Sequence, residues 1–270
     1  MAATELDPLA LFSMYMQVTG VPTLVDDPSG DAELKGKKLG IVNGASWIAL
    51  WSNYFGRLAL PGVKLVNVGN EAIQLNFMRA HAEGAPCPPQ ENIDLFVEYA
   101  EQLVKLAGVD AILVSCSTMN RAMDSVRQAM AAHGVPVVQI DEPMMEEAVS
   151  RQGRILVVAT HGPTVRSTQA LLRETARRMG QEVSFAGATV EDAFDLLGEG
   201  DVEGHNEVIA AAIRDGCAGG DIAVVVLAQL SMTVFKLSHP DCRREFGVDV
   251  LTSGELGFQR VRAVLRGEPA

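Results

Sequence analysis

Positive charge is scarce in this sequence. Lys and Arg number 22 against 34 Asp and Glu, for a formal net charge of −12. Such a chain repels nucleic acid in bulk. The basic pairs within "RRM" at 177–179 and at 243–244 are too short to make a binding stripe. No nucleic-acid partner is expected. Long apolar runs are absent too, since none reaches the roughly 18 residues of a membrane span. The N-terminus carries acidic residues where a secretory leader carries positive ones. A cytoplasmic protein with no membrane partner is expected. The four cysteines, Cys87, Cys116, Cys217 and Cys242, form no CxxC, which points to reduced thiols. The five histidines form no HxxxH pair, and "HPDC" at 239–242 lacks further ligands, so no metal is expected. No GxGxxG follows a strand, residues 30–38 have the wrong spacing for a P-loop, and no GxSxG elbow exists. No cofactor is therefore expected.

Aromatics are also few, at 5%, whereas apolar residues make up 48%. Ala, Val, Leu, Gly and Met suit buried strands alternating with helices better than a β-sandwich. Residues 1–36 read as a short helix (8–20) followed by an acidic, breaker-rich linker. That helix would either serve a dimer contact, making the protein a homo-oligomer, or cap its own core. From residue 37 apolar runs recur. "KLGIVNG" (38–44), "VKLVNVG" (63–69), "DAILVSCS" (110–117) and "PVVQI" (136–140) read as strands, with helices at 92–108 and 142–152. The pattern restarts at "RILVVATHG" (154–162). A helix follows at 163–180, and strands follow at "EVSFAG", "DIAVVVLAQLS" and "VDVLTS". More helices lie between them, and another closes the chain.

This is an α/β protein with two pseudo-symmetric parallel-sheet domains, 37–150 and 151–270, helices on both faces of each sheet, and the closing helix in the second domain. Ligands of such sheets bind beyond the carboxyl ends of the strands, so the active site belongs in the cleft between the domains.

Cys116 sits where the third strand gives way to a helix, flanked by Ser115, Ser117 and Thr118. A helix N-terminus lowers a thiol's pKa, and the hydroxyls suit a thiolate or a bound carboxylate. Simple burial of a small apolar residue would also account for a cysteine there. The turn "ATHGPTVRST" (159–168) offers Thr160, Thr164, Ser167 and several N–H groups, a cradle for a carboxylate or phosphate. Ordinary helix capping is the plainer explanation. "NGAS" at 43–46 makes the matching turn in the first half.

Together, the doubled pattern, "SCST" after the third strand and "VVATHGPTVRS" opening the second half resemble the aspartate/glutamate racemase superfamily, over residues 37 to 265. The resemblance implies cofactor-independent proton chemistry on the carbon beside a carboxylate, one cysteine on each face. Cys116 matches the first-half cysteine. Asn43, Ser46, Ser117, Thr118 and Thr160 match positions that hold the carboxylate or steer the thiol. The other cysteine should follow "DIAVVVLA", where this chain has Gln229-Leu230-Ser231-Met232. Ser231 offers a hydroxyl for binding but is too weak a base to replace a thiolate.

Three functions follow. One is an isomerase or racemase of a small carboxylate, an amino acid or a related acid, with His161 or Asp141 as second acid/base. Another is a single-cysteine decarboxylase or lyase of a malonate-like acid. The third is a carboxylate-binding protein without catalysis.

Overall fold

A computed structural model describes residues 7–19 and 31–270. Of the acidic linker expected at 21–36, residues 21–30 lie outside the described residues; residues 31–36 belong to the first half instead, with Leu34 fully buried in its core and Asp31 paired with Arg262 and Arg266. Two four-stranded sheets are present. The first contains β1 (Lys38–Asn43), β2 (Lys64–Gly69), β3 (Ala111–Val114) and β4 (Val137–Gln139), in the order β2-β1-β3-β4. The second contains β5 (Arg154–Ala159), β6 (Ser184–Thr189), β7 (Ile222–Leu227) and β8 (Asp249–Thr252), in the order β6-β5-β7-β8. Every pairing is parallel. The same spatial order in both halves is the internal duplication expected from the repeat.

Among the described residues twelve α-helices accompany the sheets. In the first half they are α1 (Pro8–Thr19), α2 (Ala49–Ala59), α3 (Glu71–Ala82), α4 (Gln90–Gln102), α5 (Met123–Ala131) and α6 (Glu142–Ser150). Then come α7 (Gly162–Arg178), α8 (Glu191–Gly198), α9 (Val202–Cys217), α10 (Phe235–Ser238), α11 (Cys242–Phe246) and α12 (Ser253–Leu265).

Side chains alternate across each strand, so a parallel strand covered on both faces must be apolar throughout. In β3, Ala111 and Leu113 enter one core layer and Ile112 and Val114 the other. In β5, Ile155 and Val157 face α6 and α7, while Leu156 and Val158 face α9. The helix expected at 92–108 keeps α-helical form only to Gln102 and finishes as a wider π-helical turn, Leu103–Ala107. Gly108 ends it in the left-handed conformation, φ 60°.

α12 departs from the expected grouping. It follows β8 in the second half, yet Phe258, Val261, Val264 and Leu265 bury themselves with Leu39, Ile41, Leu113 and Ile140 of the first. Gly257 permits this approach, because a Cβ there would lie 2.7 Å from the Ile140 carbonyl oxygen. α1 packs beside α2 but buries none of its residues, so it does not cap its own core.

Candidate active site

The carboxyl ends of β1, β3, β5 and β7 lead into the turns that surround one cavity of about 240 Å³. From the first half, Gly44, Cys116, Ser117 and Thr118 line it; from the second, His161, Thr164, Gln229 and Ser231.

Cys116 follows β3 in extended conformation and precedes a short 3-10 turn, Ser117–Ala122. Met119 breaks the helical geometry inside that turn, and α5 begins only at Met123. The regular helix N-terminus expected directly after the thiol is therefore displaced by a turn and a half of irregular backbone. The Thr118 Oγ1 lies 3.1 Å from the Cys116 Sγ. The sulfur reaches the cavity, but the protein packed round it leaves little water to solvate a thiolate. Burial pushes the thiol's pKa up, opposed by the Thr118 hydroxyl and the N–H groups of Met119 and Thr118, and reinforced by the charge of Asp141. The direction is opposite to that expected from a helix terminus. Burial thus favours the neutral thiol over the thiolate. Gly44 stands so close that a Cβ there would fall on the Cys116 sulfur.

Asn43 and Ser46 turn away from the cavity. Asn43 is fully buried; its Oδ1 accepts from the hydroxyls of Ser52 (2.8 Å) and Ser115 (2.6 Å), and its Nδ2 donates to Asn67 Oδ1 (3.0 Å). This saturated amide ties the ends of β1, β2 and β3 together and so fixes the turn that carries Cys116. The hydroxyl and N–H of Ser46 both donate to the Glu71 carboxylate, which they hold below the usual carboxylate range.

Thr160 is also buried behind the wall. Its N–H and its hydroxyl each donate to the Gln229 Oε1, both at 2.9 Å. Two donors on one atom identify it as the oxygen. The amide nitrogen of Gln229 finds no protein acceptor among the described residues and is a donor beside the cavity. The sequence marked Gln229 only as one of four residues, 229–232, where a second cysteine is missing; its partnership with Thr160 has no signature in the chain. His161 stands at the N-terminus of α7 with its ring 4.9 Å from that of Phe194. Ser167 donates to the Thr164 carbonyl oxygen rather than to the cavity.

Asp141, the other candidate acid/base, does not line the cavity. It is buried at the start of α6, on the Cys116 side, where Gln139 Nε2 donates to it at 2.8 Å. Burial raises its pKa to about 6 despite the Gln139, Ser117 and Ser253 side chains that favour the carboxylate.

α3 was not foreseen from the sequence and supplies one whole wall, Ile73, Gln74, Phe77, Met78 and His81. Only Ile73 and Ala80 of this helix are buried, so it lacks the apolar stripe that marks a helix in sequence. The signal available was Asn70, whose side chain caps the Ala72 N–H at 2.9 Å. Among the described residues no group of three ligating side chains could hold a metal ion. No helix of those residues is long and apolar enough to cross a membrane.

Comparison with known families matches residues 78–261 to the Asp/Glu/Hydantoin racemase family. The chain belongs to that family. Solved structures agree on the fold. Glutamate racemase from Francisella tularensis, in complex with D-glutamate, superposes with a TM-score of 0.59 at 15% identity, covering 85% of this chain and 81% of the other. Glutamate racemase from Thermus thermophilus, in complex with beta-chloro-D-alanine, gives 0.57 at 21% identity, covering 85% and 80%. Allantoin racemase from Klebsiella pneumoniae gives 0.55 at 18% identity, covering 87% and 90%. No curated protein gives a significant sequence match. Family membership makes this a racemase-type enzyme.

Proposed function

We propose that the protein is a cytoplasmic, cofactor-independent isomerase in which Cys116 exchanges a proton with the carbon beside the substrate carboxylate. The observation that carries this reading is the Cys116 thiol, half enclosed at a cavity wall, hydrogen-bonded to Thr118 and faced by polar groups of the other half. Thr118, Thr164 and Ser231 are the neutral groups available to hold the carboxylate, together with N–H groups of the turns, while the Ser117 side chain is engaged by Asp141. Asn43 and Thr160 act through others, the first by fixing the Cys116 turn and the second by orienting Gln229.

Inversion needs a proton carrier on each face of the reacting carbon. His161 is the titratable group that the second half brings to the cavity, and imidazole both gives and takes protons near neutral pH. In one direction His161 removes the α-proton, the electron pair moves into the carboxylate as an enolate, and the protonated Cys116 delivers its proton to the opposite face. The Gln229 amide supplies a hydrogen bond to the enolate oxygen.

A second reading, decarboxylation of a malonate-like acid, is favoured by one observation. Burial favours the neutral thiol, and among the described residues no second cysteine lines the cavity. Loss of carbon dioxide would leave the electron pair on carbon, and one proton from Cys116 would complete the reaction.

Incubation with small carboxylates in deuterated water distinguishes the two. The isomerase incorporates deuterium at the α-carbon of recovered substrate, and Cys116→Ala reduces the rate by at least about a hundredfold. Carbon dioxide release dependent on Cys116 would select the second reading. Exchange unaffected by Cys116→Ala would overturn both.

A further inference from the structure

The cavity's chemistry is marked by the charges it lacks. No Asp, Glu, Lys or Arg lines it, and its titratable side chains are Cys116, His81 and His161. An α-amino acid brings an ammonium, and burying one without a carboxylate partner costs several kcal/mol. The buried carboxylate nearest the site, Asp141, stands outside the lining, hydrogen-bonded to Gln139. In this lining the second carboxylate of an acidic amino acid would meet no guanidinium or ammonium; Arg121, paired with Glu174, and Arg166 line an adjoining cavity that shares Phe77, His81, Thr118 and Thr164. A single carboxylate, by contrast, is served by neutral donors, the hydroxyls of Thr118, Thr164 and Ser231 and the Gln229 amide.

The remaining walls are mostly apolar. Ile73, Phe77 and Met78 of α3, with Gln74 and His81 between and beyond them, form one side, and Trp47, Ile48 and Phe194 line the rest. Trp47 is held by an edge-on contact with Trp51, ring centroids 5.3 Å apart, which favours a preformed wall over a side chain that must be ordered by the ligand.

We infer that the substrate is a carboxylate whose reacting carbon carries an aryl or branched-alkyl group in place of an ammonium. This rests on the isomerase reading only for the word substrate; the ligand preference stands on the cavity alone. An aryl group on that carbon also spreads the negative charge left when the C–H bond breaks, so the reaction needs no cationic side chain to share it.

Calorimetric titration of the wild-type protein with α-phenylpropionate, glutamate, aspartate and benzylhydantoin tests the preference. α-Phenylpropionate is expected to bind at least about tenfold more tightly than either amino acid, and Phe77→Ala to weaken it by a similar factor. Equal or tighter binding of glutamate or aspartate overturns the inference, as does failure of all four to bind. Tighter binding of benzylhydantoin, which carries the apolar group but no carboxylate, overturns it as well. The wild-type ranking decides the matter even if Phe77→Ala misfolds. Tight α-phenylpropionate binding without Cys116-dependent C–H exchange removes the isomerase reading and leaves this one. Exchange of glutamate with no response to α-phenylpropionate does the reverse.

Discussion

Replacing Asp141 with Asn removes one buried negative charge and little else. The Gln139 side chain also accepts from the N–H groups of Asp141 and Glu142, both at 2.7 Å, and these survive the change. In the folded chain burial raises the Asp141 pKa from 3.8 to about 6. Folding therefore favours the neutral acid. The stability that follows is fully present below about pH 3.8 and is lost as the pH rises through about 6. Above that range the ionised carboxylate costs the fold about 3 kcal/mol, and Asn at this position carries no such penalty. The variant should match the wild type near pH 4 and exceed it by about 3 kcal/mol near pH 8, a rise in Tm of roughly 6–12 °C. Taking the difference between variant and wild type at each pH cancels the other titrating groups. The same charge pushes the Cys116 thiol up, so Asp141→Asn should also move the alkylation profile of Cys116 to lower pH. Thermal melts and iodoacetamide kinetics at both pH values provide the measurements. An advantage equal at both, or none near pH 8, would refute the reasoning.

Two further predictions concern close packing. Gly44→Ala forces the Cys116 sulfur from its position, and a displacement on the scale of 1 Å should reduce turnover about a hundredfold while leaving thermal stability nearly unchanged. Activity within threefold of wild type would show that the turn relaxes freely. Phe258→Ala opens a fully buried site between α12 and the first sheet and should cost about 3–5 kcal/mol in urea denaturation; a loss below about 1 kcal/mol would mean that α12 collapses to fill it.

The sheets were legible in the sequence because parallel strands covered on both faces must be continuously apolar, and runs such as "DIAVVVLAQLS" leave few alternatives. The register of repeat on repeat followed from the same runs. Cys116, Ser117 and Thr118 could be brought to the cleft because a strand's carboxyl end determines where its next residues emerge. What the sequence could not display was direction. Asn43, Ser46 and Thr160 occupy the expected turns, yet their polar atoms are taken by Ser115, Glu71 and Gln229. The sign of the Cys116 shift depended on whether desolvation or the N–H groups of the following turn prevailed, and burial of the thiol outweighs the Thr118 and Met119 N–H groups. α3 escaped notice because a helix that forms a cavity wall presents apolar residues to the cavity as well as to the core.

The position of α12 has a consequence for biosynthesis. Phe258 and its neighbours complete the hydrophobic layer beneath β1 and β3, although those strands leave the ribosome far earlier. During translation the first sheet therefore emerges with this face only partly covered, by α2, and must wait for residues 253–265 before that face is sealed. The two halves cannot mature as independent units in order of synthesis. A nascent chain stalled before Ser253 would present Leu39, Ile41 and Leu113 to chaperones, and premature termination there would disable the half of the molecule that was made first.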